Sequence, residues 1–294
     1  MKGRIIILFL FLFPYPAISF TQEWQDIKND ARYIWGEGWG RSVEEADKEA
    51  LAVLASKISI AVSGEFHQRE EQADGDKGST WYSSRSSRVS MSTSATLPNT
   101  RRIVFKTGRK SHVGRWIDRN ELEATFRDRR ARVLEYETSA MAAEGDLRLD
   151  EALRCHYRAY VLLRSLQRPS ELRDDGGRML LNVIPERLNA ILDGITVEAR
   201  KQENNLFLVF WYRNRRVRGL DFRFFDGAKW SAPCSAIGGS AMVELAPGAT
   251  CSVIQLRIEY MFQGDALLDA ELSEFLSSAD IKPLKKAMKI FRAK

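Results

Sequence analysis

The spacing of hydrophobic and polar positions changes several times along the chain, and each change predicts an element. Residues 33–40 alternate, with tryptophans and a glutamate on one side and glycines on the other, which predicts a strand. Residues 43–58 carry apolar side chains every three or four positions, which predicts an amphipathic helix. Ser42 and Glu45 form the capping box that begins this helix. Over residues 58–66 the spacing falls to two, which predicts a second strand.

The middle of the chain alternates again and then becomes helical. Residues 67–88 are polar and are interpreted as a loop or hairpin tip, and the alternation over residues 89–117 predicts three short strands. Asp118 and Glu121 form another capping box before a long amphipathic helix. A turn at Gly145 precedes the next helix. Two consecutive antiparallel helices of this kind resemble a single tetratricopeptide-type hairpin.

The last third of the sequence changes in character. Residues 179–192 predict a further amphipathic helix with Pro185 inside it. From Gly194 onward, five short apolar runs are bounded by Gly, Asn, Asp or Pro, a pattern typical of a small β-sandwich of the immunoglobulin-like type. Residues 267–294 return to helical spacing and end in a basic stretch, which predicts a helical tail.

The N-terminus has the pattern of a secretory signal peptide. Lys2 and Arg4 precede an apolar run over residues 5–13, prolines end that run, and small residues up to Ser19 suit a signal peptidase. The alternatives are an uncleaved anchor or a buried strand. Cleavage after Ser19 would lower the net charge from +6 to +4. No later apolar run is long enough to cross a bilayer, so we expect an exported protein without a transmembrane segment.

Together these elements predict an α+β multidomain protein. Its 294 residues exceed what one core usually needs. We expect a small helix-on-sheet domain, a tetratricopeptide-like helical hairpin and an immunoglobulin-like β-sandwich. The predicted segments are the signal peptide (1–19), the helix-on-sheet domain (20–137), the hairpin region (138–193), the sandwich (194–263) and the helical tail (264–294).

Export makes disulfide bonds possible. Cys234 and Cys251 lie in the same β-rich segment and are candidates for pairing, whereas Cys155 lies on a helical pattern and is expected to be a buried thiol. The three histidines are scattered and no CxxC spacing occurs, so neither a zinc site nor any other metal site is expected. The acidic stretch that begins at Asp74 lacks the glutamate a calcium loop requires, since Arg85 occupies that position.

The alternating glycines Gly36, Gly38 and Gly40 raise the question of a phosphate-binding loop. Their spacing is G-x-G-x-G, and neither the dinucleotide fingerprint nor the phosphate-loop motif is present. Glycines alternating along a strand instead permit the close approach of another backbone. We therefore interpret them as structural, and no cofactor is expected.

Two arginine clusters, at residues 127–132 and 213–218, are the candidates for binding a polyanion. An exported protein does not meet the nucleic acid inside the cell, so no nucleic-acid partner is expected. The possible partner is an anionic glycan or a lipid headgroup. The sequence contains no nucleophile elbow, no HExxH motif and no recognisable order of catalytic residues. We therefore expect a protein that is not an enzyme.

The stretch YIWGEGWGRSVEEADKEALAVLASKISIAVSGEF resembles the start of the LPP-twenty lipoprotein family. Members typically show a strand with Gly-x-Gly, an alanine-dense helix and a strand that runs into a polar loop. The resemblance covers about residues 30–137. The rest of the chain looks like large envelope proteins of Bacteroidetes-type bacteria, which join this domain to a helical hairpin and a β-sandwich. The family's lipid-bearing cysteine is missing here, because the first cysteine is Cys155.

The resemblance implies a location in the outer membrane or envelope, with no catalytic residues to transfer. Export, the modular architecture and the absence of a catalytic constellation predict a protein of the periplasm or outer membrane that binds or scaffolds another envelope component. The candidate binding residues are Trp35, Trp39, Trp81 and Tyr82, because tryptophan and tyrosine near loops often anchor partners. The alternative places Trp35 and Trp39 in the core. The rival function is a glycan-binding module or a polysaccharide-processing enzyme, in which Trp81 and Tyr82 would stack on sugar.

Overall fold

The computed structural model describes residues 20–70, 100–107, 110–166, 169–226, 228–245, 253–262 and 284–292. Within these ranges the protein is a mixed α+β structure with five α-helices and two antiparallel sheets. The α+β class predicted from the sequence is therefore confirmed.

In the described part of the chain the first sheet has three strands, each antiparallel to its neighbour. These are β1 (Tyr33–Gly40), β2 (Arg101–Thr107) and β3 (Lys110–Asp118), in the order β1-β3-β2. Helix α1 (Phe20–Asn29) packs on one face of the sheet, and helix α2 (Val43–Glu70) packs on the other. No helix was predicted for the residues before β1. Trp24 and Ile27, both buried and three residues apart, are the signal that identifies α1.

The three glycines of β1 face α2 and let the two backbones touch. A Cβ atom added at Gly36 would lie 2.5 Å from the backbone nitrogen of Leu54, and one at Gly40 would lie 2.6 Å from that of Ala46. No side chain fits at such distances, so the strand can meet the helix this closely only where it carries glycine. The structural interpretation of these glycines is confirmed.

Helix α2 is longer than its sequence pattern suggested. The predicted strand at residues 58–66 is wrong, because the helix continues without a break from Val43 to Glu70. Leu54 and Ile58 are both buried, as expected of side chains one helical turn apart. No glycine or proline interrupts residues 43–63, so a helix nucleated at the capping box can propagate through β-branched residues that alone would favour a strand.

Three further helices follow the first sheet in the chain and precede the second. They pack on one another as a layer. They are α3 (Arg119–Gly145), α4 (Leu149–Arg164) and α5 (Leu180–Gly194). The Asp118 half of the predicted capping box is confirmed, since its side chain accepts a 2.7 Å hydrogen bond from the backbone N–H of Asn120. The Glu121 side chain accepts instead from Arg101. The turn between α3 and α4 lies where it was predicted. Helix α5 contains Pro185 without ending there.

A buried polar network joins the three helices of this layer. The Nδ1 atom of His156 on α4 lies 2.7 Å from Oε1 of Glu137 on α3. Arg187 on α5 donates a 2.6 Å hydrogen bond to Oε2 of the same carboxylate. His156 and Glu137 are 0% and 3% exposed, so this carboxylate is satisfied from two helices at once.

The second sheet has eight antiparallel strands and follows α5. The order is β11-β10-β7-β8-β9-β5-β4, with the short β6 paired to β5. The five strand-like runs predicted after Gly194 correspond to β4, β5, β7, β9 and β10. The strands are β4 (Ile195–Gln202), β5 (Asn205–Tyr212), β6 (Arg215–Arg216), β7 (Gly219–Phe224), β8 (Cys234–Ile237), β9 (Ser240–Glu244), β10 (Val253–Ile258) and β11 (Met288–Arg292).

The structure differs from the expected helical tail over residues 264–294. Met288–Arg292 form β11, which pairs antiparallel with β10. Short-range spacing did not reveal this strand, because its partner residues lie 31 to 39 positions earlier in the sequence. Before it, Lys285–Ala287 form a single 3-10 turn. Residues 264–283 and 293–294 lie outside the described ranges.

The main hydrophobic core extends through all of these layers. It draws residues from β1, α2 and β3, from α3 to α5, and from the second sheet. Representative members are Ile34, Leu54, Ile117, Leu153, Leu162, Ile191, Phe210 and Leu256. Helix α3 also runs through the predicted boundary between residues 137 and 138. The domain boundaries remain predictions.

Candidate functional site: the aromatic face of the first sheet

The face of the first sheet opposite α2 is rich in aromatic side chains. Because side chains alternate along a strand, burying the glycines against α2 directs Trp35, Glu37 and Trp39 to the opposite face. The register places Trp39 beside His112 on β3, and His112 beside Phe105 on β2. We call this surface the aromatic face.

Trp39, His112 and Phe105 form a row of stacked rings across the three strands. The ring centroids of Trp39 and His112 are 4.7 Å apart and their planes differ by 3°. His112 and Phe105 follow at 4.6 Å with planes at 23°. Trp39 is 51% exposed, whereas Phe105 is buried. The stack therefore holds one indole flat while leaving about half of it open to solvent.

Helix α1 covers the centre of the aromatic face through Trp24. A Cβ atom at Gly114 on β3 would lie 2.7 Å from the Trp24 ring, so this glycine provides the space that the indole occupies. The Trp24 indole also packs against Trp35 and Trp116, with ring centroids 6.0 and 5.8 Å away. This part of the face is core, and Trp24 holds α1 onto it.

Glu37 is the polar group at the centre of the aromatic face. Its Oε1 atom accepts a 2.6 Å hydrogen bond from the indole Nε1 of Trp24 and a 3.2 Å hydrogen bond from Nζ of Lys28. Burial acts to raise the pKa of Glu37, but the hydrogen bonds from Trp24 and Lys28 outweigh it and hold the pKa below its ordinary value. His112 Nε2 lies 3.5 Å from the same oxygen. Glu37 is therefore a negative charge satisfied within the protein.

Lys57 closes one side of the face. Its Nζ atom lies 3.2 Å from the centroid of the Trp35 ring, a cation–π contact, and Nζ of Lys28 lies 5.1 Å from the same ring. Burial lowers the pKa of Lys57. With Trp24 on one side and two lysines near its ring, Trp35 is half-buried and contributes mainly to packing.

The structure brings together two of the four predicted binding residues. Trp35 and Trp39 lie on the same face, but only Trp39 is widely exposed. Trp81 and Tyr82 lie outside the described residues, as does Ser19 of the predicted cleavage site. His112 was not predicted, because its place beside Trp39 depends on strand register. Trp24 was missed because its helix was not predicted.

Cys155 and Cys234 lie away from this face. Cys155 is a buried free thiol on α4, as expected. Cys234 lies on β8, and its predicted partner Cys251 lies outside the described residues. The pairing therefore stays a prediction.

Two other features are absent from the described residues. Histidine, cysteine and carboxylate side chains there form no group of three or more that could hold a metal ion. Among the helices of the same ranges, none combines the length and the apolar character needed to span a bilayer.

Comparison with known proteins finds no match. Neither a protein-family model, nor a curated protein, nor a solved structure matches this chain.

Proposed function

We propose that the chain is a non-enzymatic, exported protein of the cell envelope that binds or scaffolds another envelope component. Its location is the periplasm or the outer-membrane surface, and its first domain is of the LPP-twenty type. The observation that carries the proposal is the exposed indole of Trp39, held flat by His112 on a face whose other aromatic side chains are packed. The signal-peptide pattern of residues 1–19 and the resemblance over residues 30–137 support the location.

The polar groups of the aromatic face favour binding over catalysis. The carboxylate of Glu37 is held by Trp24 and Lys28, and the Lys57 ammonium lies on the Trp35 ring. These contacts hold the side chains of the aromatic face around Trp39 in fixed positions. Tryptophan is enriched among the residues that dominate binding energy at interfaces, and a side chain already held in place loses little conformational freedom on binding.

The architecture extends the proposal to the rest of the chain. We take the α3–α4 pair as a tetratricopeptide-like hairpin and the second sheet as an immunoglobulin-like sandwich. Modules of both kinds commonly present surfaces to protein partners, so they suit a scaffold.

The experiment is a crosslinking pull-down of the tagged full chain from intact cells, followed by fractionation of the envelope. Trp39→Ala should reduce recovery of the specific partner by about thirtyfold, the effect of losing an anchor worth about 2 kcal/mol. Trp230→Ala is the matched control, because Trp230 is 36% exposed and lies next to β8 of the second sheet. Equal capture by the wild type and Trp39→Ala would exclude the aromatic face as the binding surface. Equal losses in both variants would do the same.

A second candidate function, glycan binding, is favoured by the geometry of the Trp39–His112 stack. Stacking on His112 holds the half-exposed indole of Trp39 in one orientation, and the C–H groups of a sugar ring can pack on its open part. In a fluorescence titration with soluble envelope oligosaccharides, a saturable change in tryptophan emission that Trp39→Ala abolishes would favour this function. An emission spectrum that sugar leaves unchanged would favour a protein partner.

A further inference from the structure

The hairpin between β5 and β6 carries an arginine in an unfavourable backbone conformation. Arg213 and Asn214 are its two central residues and have φ values of 47° and 62°. Positive φ at both central positions is the type I′ turn, which normally uses asparagine or glycine. Asn214 fits this preference and Arg213 does not. Arginine at such a position points to a role for its side chain.

The Arg213 side chain is held at the end of α3. Its guanidinium lies 4.7 Å from the centroid of the Tyr212 ring, and its Nη1 atom lies 3.4 Å from Oε1 of Glu144. The Tyr212 hydroxyl donates a hydrogen bond to the same oxygen. Burial and this hydrogen bond raise the pKa of Tyr212, so the phenol stays a neutral donor. Glu144 is therefore engaged by two protein donors.

These residues form one wall of a surface cleft of about 290 Å³. Arg215 and Met141 also line it. Arg215 is exposed and makes no ion pair with any residue in the described ranges, so its charge faces the cleft uncompensated. In contrast, the nearby Arg148 is paired with Asp146 and Glu151.

An apolar strip on α3 leads into the cleft. Met141 and Leu134 are 44% and 45% exposed. They are seven residues apart, so they lie on the same side of the helix about 10 Å from each other. A ligand that used both features would have an anionic group at one end and hydrocarbon at the other.

We propose that this cleft binds the headgroup of an anionic lipid. The guanidinium groups of Arg213 and Arg215 contact the phosphate, and the first part of the acyl chain lies along Met141 and Leu134. Guanidinium suits phosphate because its planar fork can donate two parallel hydrogen bonds. The apolar strip favours a lipid over a soluble polyanion, which has nothing to place there. The site gives the chain a peripheral contact with a bilayer surface.

The test is co-sedimentation of the purified full chain with vesicles of phosphatidylcholine alone or of phosphatidylcholine and phosphatidylglycerol in a 70:30 ratio. Arg215→Gln should weaken binding to the anionic vesicles by about fivefold, the usual effect of one arginine near a charged membrane. Met141→Ser, which changes no charge, should also weaken it. Arg200→Gln is the matched control, because Arg200 is an exposed arginine near the other end of β4 and β5.

Arg213→Asn separates binding from folding. Asparagine suits the left-handed conformation better than arginine, so this variant should melt at the same or a higher temperature and still bind anionic vesicles more weakly. The proposal is overturned if Arg200→Gln loses as much binding as Arg215→Gln, if Met141→Ser binds like the wild type, or if both vesicles bind equally. Tight, Arg215-dependent binding of inorganic phosphate in a calorimetric titration would also overturn it, since a lipid would then be unnecessary.

Discussion

Gly38→Ala tests the contact between β1 and α2 directly. An added Cβ would come within 3.0 Å of the carbonyl oxygen of Ala46 and the backbone nitrogen of Ala50. Both atoms belong to the backbone of α2, so neither can rotate aside as a side chain would. The helix must move away from the sheet, which opens the packing of Ala46 and Ala50, both fully buried.

The expected cost is at the upper end of the range for overpacked cores, about 3 kcal/mol. The direction of the change in the free energy of unfolding is informative. At an unconstrained strand position, replacing glycine by alanine stabilises the protein by about 0.5–1 kcal/mol, whereas here it should destabilise it. The assay is urea unfolding followed by far-UV circular dichroism. With an m-value of about 3 kcal/mol/M, the midpoint should fall by about 1 M.

Gly145→Ala is the matched control for this substitution. A Cβ at Gly145, the last residue of α3, meets nothing within 4 Å, and its φ is not positive. The free energy of unfolding of the Gly145→Ala variant should equal that of the wild type or exceed it by up to about 1 kcal/mol. If Gly38→Ala unfolds at the wild-type midpoint, the helix can shift at no cost. The glycine spacing then does not determine how α2 packs.

Two further predictions concern charged and aromatic contacts of the first sheet. Hydrogen bonds from Arg115 are the main cause that lowers the pKa of Asp47, so its stabilisation is present above the ordinary carboxyl pKa and lost as pH falls. Asp47→Asn should therefore lower the free energy of unfolding by about 1–2 kcal/mol at pH 7. Because asparagine does not titrate, the free energy of unfolding of this variant should fall less steeply than that of the wild type below about pH 4. Trp24→Phe removes the donor to Glu37 and should cost about 1–2 kcal/mol in thermal unfolding, with faster proteolysis of α1. Trp211→Phe should cost less, because its indole nitrogen is buried without a partner in the described ranges; equal losses would contradict the role of the Glu37 contact.

The sequence pattern predicted correctly those elements that depend only on residues close together in the chain. The Asp118 cap needs only its own side chain and the N–H of Asn120 two residues on, and the alternation of residues 33–40 needs only the period of a strand. The structural role of the glycines was also predictable, because the phosphate motifs that could compete for them were absent.

What could not be predicted depends on contacts distant in sequence. The residues from Ile58 onward alternate like a strand, yet they continue a helix that is already packed against β1. β11 becomes a strand only because β10 is there to pair with it. His112 joins the aromatic face through its register opposite Trp39, and the sequence around His112 contains nothing that specifies this register.

Helix α3 connects the two proposed binding surfaces. It begins directly after β3, a strand of the first sheet, which carries the aromatic face. It ends at Gly145, which lines the cleft formed with Arg213 and Arg215. Its 27 residues correspond to about 40 Å. Glu137 anchors this helix to α4 and α5 through His156 and Arg187, and it is buried where an unpaired charge would be costly. Helix α3 therefore links the first sheet and the cleft through a helix that is itself held in place by α4 and α5. A partner bound at Trp39 and a lipid headgroup bound at Arg215 would be held at a fixed separation, which is what a scaffold at a membrane surface requires.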